Sequence, residues 1–293
     1  MKDQINVVIV TYNNRELLEK CINSVKASLT FAKLDGKITV VDNNSSDGTE
    51  DVMRKKLWSV NYIRHSENYG TARAFNRGIQ ESKYNKYTFL MNDDVVLFPQ
   101  TLHEMMATLG RYPKARGIPA NLMYADGSPQ RIKLDVLGLT RLKDNQIRMV
   151  SFPGTTACLY YTEVFQNVGL FDEFYFFYNE DLDFALRAKR KGLVFVCDPH
   201  IKVVHHGDMG RAKGERYVKP HAFSADYYFY RKNYGWVAAL LYLFATKMRL
   251  SLNRRTYRKR KDKKQLELLE MGMQNLQETV RSFRKRSREQ RQQ

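Results

Sequence analysis

Two acidic motifs of the sequence carry side chains that could do chemistry. The first, NDDV at residues 92–95, follows the apolar run YTFLM, so Asp93 and Asp94 are expected at the end of a strand. Mg²⁺ and Mn²⁺ take oxygen ligands, usually one or two carboxylates together with phosphate oxygens of a substrate. The pair is therefore a candidate metal site, although NDD taken alone is more typical of a turn that closes a strand.

The second motif, NEDLD at residues 179–183, places Glu180, Asp181 and Asp183 at the start of a predicted helix. Negative charge at that position interacts favourably with the helix dipole, which is a sufficient structural explanation. Six aromatic residues precede the motif: Phe171, Phe174, Tyr175, Phe176, Phe177 and Tyr178. A carboxylate held among aromatic rings has a raised pKa suited to removing a proton from a hydroxyl, so in this context we favour a catalytic base.

The elements that must position these motifs alternate along the first half of the chain. Strands are predicted at residues 6–10, 37–41, 60–64 and 87–91, and helices at residues 15–29, 46–56 and 71–82. This alternation predicts βαβ units, and hence an α/β fold with a mixed, mostly parallel, nucleotide-binding sheet flanked by helices. Residues 117–154 are expected to form irregular strands and a loop.

Functional residues of such sheets gather beyond the carboxyl ends of the strands. Polar clusters follow the four predicted strands directly, at residues 11–13, 42–45, 65–70 and 92–94. We therefore expect these four clusters to share one edge of the sheet.

Several single residues in these clusters suit a nucleotide. Asp42 could accept a hydrogen bond from a base imide or a ribose hydroxyl, whereas Ser46 or Asp47 is predicted to cap the next helix. Gly70 at a helix entry, with Arg73 one turn further, forms a candidate anion site, although glycine is also common turn punctuation.

His205 and His206 come directly after the apolar run IKVV, at the end of the predicted strand at residues 202–205. A neutral imidazole there could bind a metal or donate to a diphosphate. A histidine pair alone is more typical of a structural role.

The size and charge of the chain predict a catalytic domain with an appendage. At 293 residues and 43% hydrophobic composition, the chain can form one large domain, which we assign to residues 1–225, with a helical basic extension at residues 226–293. The net charge is +18, and residues 254–293 supply half of it, with 14 Lys and Arg against 5 Asp and Glu. Such a tail suits nucleic acid, an anionic membrane or phosphorylated substrates.

Apolar residues of the tail recur at heptad spacing: Leu266, Leu269, Met273, Leu276, Val280 and Phe283. This seam predicts one of three arrangements: a helix docked on its own chain, self-association into a homo-oligomer, or adhesion to an anionic membrane. Trp236, Tyr242 and Phe244 nearby favour the last of these.

The remaining signals predict a cytoplasmic protein, which membrane adhesion of the tail would make peripheral on the inner face of the membrane. The cysteines, Cys21, Cys158 and Cys197, are odd in number and widely separated, so disulfides and a cysteine metal site are not expected. The first apolar run is too short for a signal sequence, and the stretch at residues 236–245 is too short to cross a bilayer.

Taken in order, the motifs VTYNN, VDNNSSDGT, ENYGTARAFNRG, LMNDDV, NEDLD and VVHHG resemble family 2 of the inverting glycosyltransferases, in particular its bacterial rhamnosyltransferase-like members. The resemblance covers about residues 7–207. It implies the glycosyltransferase A fold, a nucleoside-diphosphate sugar donor, Mn²⁺ or Mg²⁺, and a polysaccharide or lipid-linked acceptor. The transferred sugar would be rhamnose or another hexose.

The resemblance also implies roles for individual residues. Those expected at the nucleotide sugar are Thr11, Tyr12, Asn13, Asp42, Asn44, Asn68, Gly70, Arg73 and Asp93. Asp94 and His205 are expected at the metal, and Asn92 stands where many relatives have Asp. Asp181 matches the catalytic base, with Glu180 as its alternative, in a single displacement that inverts the anomeric centre.

Two other functions remain as alternatives. A sugar nucleotidyltransferase would share the crevice and the carboxylates but would release pyrophosphate. A nucleic-acid-binding protein would explain the basic tail, but the chain carries no recognised nucleic-acid signature, so no nucleic acid partner is expected.

Overall fold

A computed structural model describes residues 4–57, 59–130, 146–207 and 219–292 of the chain. For residue 56 and residues 284–292 it describes the backbone only. Most of the predicted irregular section, residues 131–145, lies outside the described residues, as do residues 208–218. The strands are β1 Ile5–Thr11, β2 Gly36–Asp42, β3 Asn61–Arg64, β4 Tyr87–Asn92, β5 Val95–Leu97, β6 Gly117–Pro119, β7 Asn121–Met123, β8 Arg148–Val150, β9 Ala157–Tyr161, β10 Phe195–Cys197 and β11 Lys202–His205. The helices, numbered here in chain order, are α1 Arg15–Ala32, α2 Thr49–Lys56, α3 Thr71–Gln80, α4 Thr101–Arg111, α5 Glu163–Val168, α6 Glu180–Arg190, α7 Pro220–Lys259 and α8 Lys263–Gln292.

The main sheet has the strand order β3-β2-β1-β4-β9-β6. Strands β1 to β4 run parallel to one another, whereas β9 pairs antiparallel with both β4 and β6. Thr11 lies opposite Asp42, and Asp42 lies opposite Arg64, so the carboxyl ends of the first three strands are in register. The predicted α/β class with a mixed, mostly parallel sheet is confirmed.

Both faces of this sheet are buried, because alternate side chains of each central strand enter different hydrophobic cores. Ile5, Val7 and Ile9 of β1 pack in one core with α1 and α4, whereas Val8 packs in the other core with α3, α5 and α6. Period-two alternation sends successive side chains to opposite faces. A strand covered by helices on both faces therefore carries consecutive apolar residues, as the VVIV within INVVIVT does.

Helix α3 lies directly on β1, and one glycine makes this approach possible. A Cβ added at Gly78 would lie 2.1 Å from Cγ1 of Val8. Because no side chain fits that space, the start of α3 at Gly70 is held close to the end of β1 and β2.

A three-stranded sheet, ordered β5-β11-β7, extends the same unit. Strand β11 pairs antiparallel with β5, and His205 lies opposite Val95. The backbone N–H of His206 donates to the carbonyl oxygen of Asp94 at 2.9 Å. This pairing brings the histidine pair to the acidic motif at the end of β4.

The described residues divide into two compact units. The first is drawn from residues 1–174 and 180–212, and the second from residues 175–179 and 213–293. In the second unit α7 is broken at Gly235 into two helical segments, and these pack with α8 around a core of their own. A Cβ at Gly272 of α8 would lie 2.6 Å from the ring of Phe223 in α7, so this glycine permits the close packing of the two helices.

The heptad seam predicted in the tail packs on its own chain. Leu269 and Leu276 are buried against Phe223, Ala239 and Leu250 of α7. Membership of this seam in a homo-oligomer stays a prediction. In the described residues no helix is long and apolar enough to cross a membrane.

Several predicted element boundaries differ from the structure. The second helix begins at Thr49 after Gly48, so Ser46 and Asp47 are not its N-cap; Asp47 instead accepts a hydrogen bond from the backbone N–H of Thr49 at 3.2 Å. The predicted helical extension at residues 226–293 is interrupted at residues 260–262, where α7 ends after Lys259 and α8 has not yet begun.

Candidate active site

Asp93 joins the ends of β1 and β4. Oγ1 of Thr11 donates to one of its carboxylate oxygens at 2.6 Å, and Nδ2 of Asn14 donates to the other at 2.9 Å. Burial raises the pKa of Asp93 to about 6, although the hydrogen bonds from Thr11 and Asn14 oppose this rise. The first of the two motif aspartates is therefore tied to the neighbouring strand.

Asp42 is fully buried at the end of β2. Its Oδ1 accepts hydrogen bonds from the backbone N–H and the hydroxyl of Ser45, at 2.8 and 2.6 Å, and its Oδ2 accepts one from the Tyr62 hydroxyl at 2.6 Å. Burial, followed by the bond to Asp42, raises the pKa of Tyr62, which keeps that phenol a donor. Asp42 thus orders the turn after β2 as well as being a candidate ligand of the nucleotide.

Two asparagines with left-handed backbones line the turns after β1 and β2. Asn13 has φ of 51° and Asn44 has φ of 67°, a conformation that asparagine adopts more readily than most residues. The Asn13 side chain accepts a hydrogen bond from the backbone N–H of Ser46 at 2.7 Å, and Asn44 accepts one from Arg64 at 2.9 Å. These bonds join the first two polar clusters, while Tyr12 is 51% exposed beside them.

The entrance of α3 is organised by short polar contacts. The backbone N–H of Gly70 donates to Oδ1 of Asn68 at 3.0 Å, and the carbonyl of Gly70 accepts a hydrogen bond from Asn43 at 3.1 Å. The guanidinium of Arg73 lies 3.9 Å from the centre of the Tyr69 ring, and about half of the side chain is exposed. The third polar cluster is therefore joined to the second, with a cation at its surface.

Asp94 and His205 form the next contact along this edge. Nε2 of His205 lies 3.4 Å from Oδ2 of Asp94. Oδ1 of Asp94 is buried and accepts no hydrogen bond from the residues that the structure describes. A Cβ at Gly207 would lie 2.7 Å from Nε2 of His205 and 2.9 Å from Oδ2 of Asp94, so the absence of a side chain there leaves room at both atoms.

Gln130 fixes the orientation of the His205 ring. Its Nε2 donates to the carbonyl oxygen of His205 at 2.7 Å, so its Oε1 is the atom that lies 2.7 Å from Nδ1 of the ring. An amide oxygen only accepts hydrogen bonds, which places the proton on Nδ1 in the neutral ring. In this neutral form the lone pair of Nε2 faces the carboxylate of Asp94, so both facing atoms are acceptors.

This arrangement fits a divalent cation with two protein ligands. A cation would satisfy the unpartnered oxygen of Asp94 and the Nε2 lone pair. In metal-bound histidines the other ring nitrogen usually donates its N–H to an oxygen acceptor, as Nδ1 does here to Gln130. No cluster of three or more His, Cys, Asp or Glu suited to a metal occurs in the described parts of the chain. The remaining ligands would thus come from substrate oxygens and water, which is usual for Mg²⁺ and Mn²⁺ at phosphates.

The motif at the start of α6 separates into carboxylates with different environments. Glu180 is 5% exposed, and within the described structure its Oε2 has no hydrogen-bond partner. Burial, and then the charge of Asp181, raises the pKa of Glu180 well above its usual range. Asp181 is only half-buried. The two adjacent carboxyl groups therefore interact, and burial disfavours charge on Glu180.

Asp183, the third carboxylate of the motif, is structural. It is fully buried and accepts a hydrogen bond from Nε of Arg187 at 2.9 Å. Arg187 also donates to the carbonyl oxygens of Val168 and Leu170, each at 2.8 Å, so the pair anchors α6 to the end of α5.

The aromatic residues before this motif do not share one environment. Phe171 is buried with Phe165 and Phe184, whereas Phe174, Phe176 and Phe177 are between 37 and 44% exposed. The backbone is left-handed at Tyr178 and Asn179, with φ of 73° and 66°. Consecutive residues of this kind are uncommon and are often found beside functional groups.

Sequence reasoning missed several side chains that support the site. Asn76 donates to the carbonyl oxygen of Phe171 and accepts from its N–H, each at 2.9 Å, which fixes the start of the loop that precedes Glu180. Asn14 and Asn76 lie inside motifs that were recognised, so their position was a usable signal. Gln130 lies in no motif, and its part at His205 follows only from the pairing of β7 with β11 and from the turn after β7, where the N–H of Gln130 donates to the carbonyl oxygen of Leu122.

Solved structures similar to this chain establish its fold. The mannosyltransferase of Pyrobaculum calidifontis, solved with GDP-mannose and Mn²⁺, superimposes with a TM-score of 0.56 at 14% identity, over 94% of this chain and 87% of that one. TarS 1–349 of S. aureus, solved with UDP-GlcNAc, gives a TM-score of 0.55 at 17% identity, over 75% of this chain and 63% of that one. The fold is that of these glycosyltransferases, as the sequence predicts.

The chain belongs to glycosyl transferase family 2, whose model matches residues 6–169. A Mycobacterium tuberculosis relative, an N-acetylglucosaminyl-diphospho-decaprenol L-rhamnosyltransferase, is 27% identical over 241 residues, which cover 70% of this chain and 77% of the relative. A Haloferax volcanii hexosyltransferase of low-salt glycan biosynthesis is 23% identical, over 73% of this chain and 71% of that relative. This chain is a glycosyltransferase, and neither the nucleotidyltransferase nor the nucleic-acid alternative is favoured.

Proposed function

We propose that this enzyme transfers rhamnose or another hexose from a nucleoside-diphosphate donor to a hydroxyl of a growing polysaccharide or lipid-linked glycan, with inversion. The observation that carries the proposal is the pair of facing acceptors, Asp94 and His205, at the carboxyl edge of the sheet. The name of the mycobacterial relative, which includes a diphospho-decaprenol acceptor and rhamnose, supports the lipid-linked acceptor and the sugar.

A divalent cation, Mn²⁺ or Mg²⁺, would be held by Asp94 and His205. When bound, the cation would stabilise the negative charge that develops on the departing diphosphate. Two similar structures, the Pyrobaculum mannosyltransferase and GalNAc-T7, were solved with Mn²⁺, which supports a metal here.

The nucleotide sugar would lie along the polar clusters of the first three strand ends. Asn13 and Asn44 would line the nucleotide together with Thr11, Tyr12 and Asn68. The carboxylate of Asp42 would hold the base or ribose through acceptor positions left beside its present bonds. Arg73 and the N-terminus of α3 at Gly70 would attract the diphosphate, because both carry positive charge.

Asp181 would remove the proton from the acceptor hydroxyl. Burial disfavours charge on Glu180, so the negative charge of the adjacent pair is better placed on the more exposed Asp181. A single base that activates the acceptor on the face opposite the leaving group gives inversion. Glu180 would then act as a protonated neighbour. Asp93 would contact the ribose or the water shell of the metal.

The catalytic domain would comprise residues 1–225, with residues 226–293 as an accessory extension. A lipid-linked acceptor would place the enzyme in the cytoplasm, peripheral on the inner face of the membrane. Self-association through the C-terminal helix is the alternative role of the extension, and the seam residues already packed within the chain argue against it.

The decisive experiment compares donor binding and transfer in the Asp181→Asn variant. A screen of nucleoside-diphosphate sugars by thermal shift, with and without Mn²⁺, should identify the donor, because a ligand of the folded state raises its stability. Asp181→Asn should then keep the shift of the wild-type protein and lose transfer at least 1000-fold, on the order of a lost catalytic base. Asp51→Asn, at an exposed position of α2, serves as the matched control.

Loss of donor binding in Asp181→Asn would instead place this residue in the nucleotide site. A wild-type protein that shows no shift with any donor, with or without the cation, would refute the proposed function.

A further inference from the structure

Helix α7 carries an exposed apolar surface that its packing with α8 does not cover. Beyond Gly235, where φ is 88° and the helix kinks, the exposed fraction of six apolar residues lies between 49 and 68%. We call these residues the outer face: Val237, Leu240, Leu241, Phe244, Met248 and Leu252. Trp236, 63% exposed, lies at its beginning.

The spacing of the outer face shows that it is one continuous side of the helix. Its members recur every three or four residues, which places them on one side of an α-helix. Ala239, Thr246 and Leu250 lie on the opposite side and are buried. The helix is thus apolar on both sides, and α8 covers only one of them.

The same outer side becomes basic towards the end of α7. Arg255 and Lys259 continue the three-and-four spacing after Leu252, and both are exposed. Lys247 is exposed at the edge of the apolar stretch. Residues 236–261 contain eight Lys and Arg and no Asp or Glu, so the outer side offers no acidic group to a partner.

We propose that the outer face of α7 lies in the surface of an anionic lipid bilayer, with the apolar residues among the acyl chains and Arg255 and Lys259 at the headgroups. A helix with a large apolar face and basic flanks binds in the plane of such an interface. Anionic headgroups attract each nearby Lys or Arg. The charge of α7 therefore suits a lipid surface better than a second copy of this strongly basic chain, because two such helices would repel each other.

This inference rests on the proposed function, in which the acceptor is lipid-linked, and it names the surface that would bring the enzyme to that acceptor. It assigns membrane contact to α7 and not to the heptad seam of α8, whose apolar residues pack against α7.

The experiment uses the full chain with vesicles, and Trp236 as the reporter. The sequence contains two tryptophans, so Trp58→Phe leaves Trp236 alone. Vesicles of phosphatidylglycerol and phosphatidylcholine should shift its emission to the blue and co-sediment the protein, whereas phosphatidylcholine alone should bind at least tenfold more weakly. Brominated acyl chains in the anionic vesicles should quench the same emission.

Two double variants test the face itself. Leu241→Glu with Phe244→Glu should lower partitioning to anionic vesicles at least tenfold. Arg255→Glu with Lys259→Glu should do the same without changing apolar area, since each basic side chain is worth about fivefold at such a surface. The matched control, Phe31→Glu with Tyr84→Glu, makes the same charge change at exposed aromatic residues of the first unit and should leave partitioning unchanged.

The outcomes separate this inference from the proposed function. Donor binding by thermal shift, measured on the same samples, should be equal in all variants, and its absence in every sample would contradict the function without bearing on the membrane surface. The inference is overturned if wild-type protein ignores anionic vesicles, or if both double variants bind as well as the control. It is also overturned if wild-type protein dimerises in sedimentation and Leu241→Glu with Phe244→Glu abolishes the dimer but not vesicle binding.

Discussion

Nε2 of His205 lies 3.4 Å from Oδ2 of Asp94, and Gln130 orients the ring so that a lone pair points at the carboxylate. The pair is assembled by β11, which runs beside β5 directly after the acidic motif. In the neutral form of the ring two acceptors are in contact, and a cation between them would relieve their repulsion, so the arrangement fits a metal site whose protein ligands are already oriented.

The first prediction concerns Gln130. Gln130→Ala should lower the affinity for Mn²⁺, measured by electron paramagnetic resonance in the presence of a nucleoside diphosphate, by about tenfold, because loss of a supporting acceptor typically costs 10–100-fold. Gln130→Glu keeps an acceptor for Nδ1 but loses the donor to the carbonyl oxygen of His205, so its affinity should lie between those of Gln130→Ala and the wild-type protein. Gln166→Ala, at an exposed position, is the control; equal affinity in Gln130→Ala and this control would show that the ring needs no such support.

Gly207 provides a second test of the same site. In Gly207→Ala the new methyl group would meet Nε2 of His205 and Oδ2 of Asp94 below 3 Å, so one of the two must move away. We expect Mn²⁺ affinity to fall at least tenfold with the stability little changed. Gly110→Ala is the control, because nothing lies within 4 Å of that Cβ; in the last turn of α4 it should raise the free energy of unfolding by no more than about 1 kcal/mol.

Replacing Asp183 should destabilise the protein, whereas replacing Asp181 should leave its stability nearly unchanged. Asp183→Ala leaves the Arg187 guanidinium without its buried partner, so the free energy of unfolding should fall by about 3 kcal/mol in urea denaturation. Asp181→Asn should change stability by less than about 1 kcal/mol, as expected away from buried ion pairs. If Asp183→Ala remains as stable as the exposed-site control Asp51→Ala, the structural role assigned to Asp183 is wrong.

The raised pKa of Glu180 predicts a pH dependence of stability. The folded protein keeps this proton to higher pH than the unfolded chain does, because glutamate in an unfolded chain has a pKa of about 4.3. The stabilising contribution is complete below that ordinary pKa and is lost as pH rises towards the raised one, by up to about 1.4 kcal/mol per pH unit.

In Glu180→Gln the free energy of unfolding should therefore decline less steeply above about pH 4.3. At pH 7 the free energy of unfolding of this variant should be higher than that of the wild-type protein. Urea denaturation across this range measures both effects. Glu163→Gln, at an exposed carboxylate, should leave the decline as in the wild-type protein. An unchanged slope in Glu180→Gln would show that this carboxyl group titrates normally.

The fold was predictable because its central strands are short, continuous apolar runs between amphipathic helices. Every residue of β1 except Val10 is buried, and burial on both faces favours the consecutive apolar residues VVIV in this strand. The polar residues at the strand ends were predictable for the same reason: parallel strands bring their carboxyl ends to one edge, and the turns there are the first places where polar groups reach a ligand.

The environment of the second acidic motif was less accessible to sequence reasoning. The sequence does not distinguish the three acidic residues at this helix start, Glu180, Asp181 and Asp183. Each could cap the helix, act as a base or form an ion pair. Their environments differ because successive helix residues point in different directions, and only the packing of α6 decides which direction is buried.

The sequence by itself determined the family, the sheet and the order of its polar edge, since these follow from local hydrophobic periodicity and from motifs of contiguous residues. Only the tertiary structure decided that Gln130 orients His205 towards Asp94, and that the outer face of α7 is left uncovered by α8. Both depend on contacts between segments far apart along the chain, and a one-dimensional pattern does not specify which side of an element meets its partner.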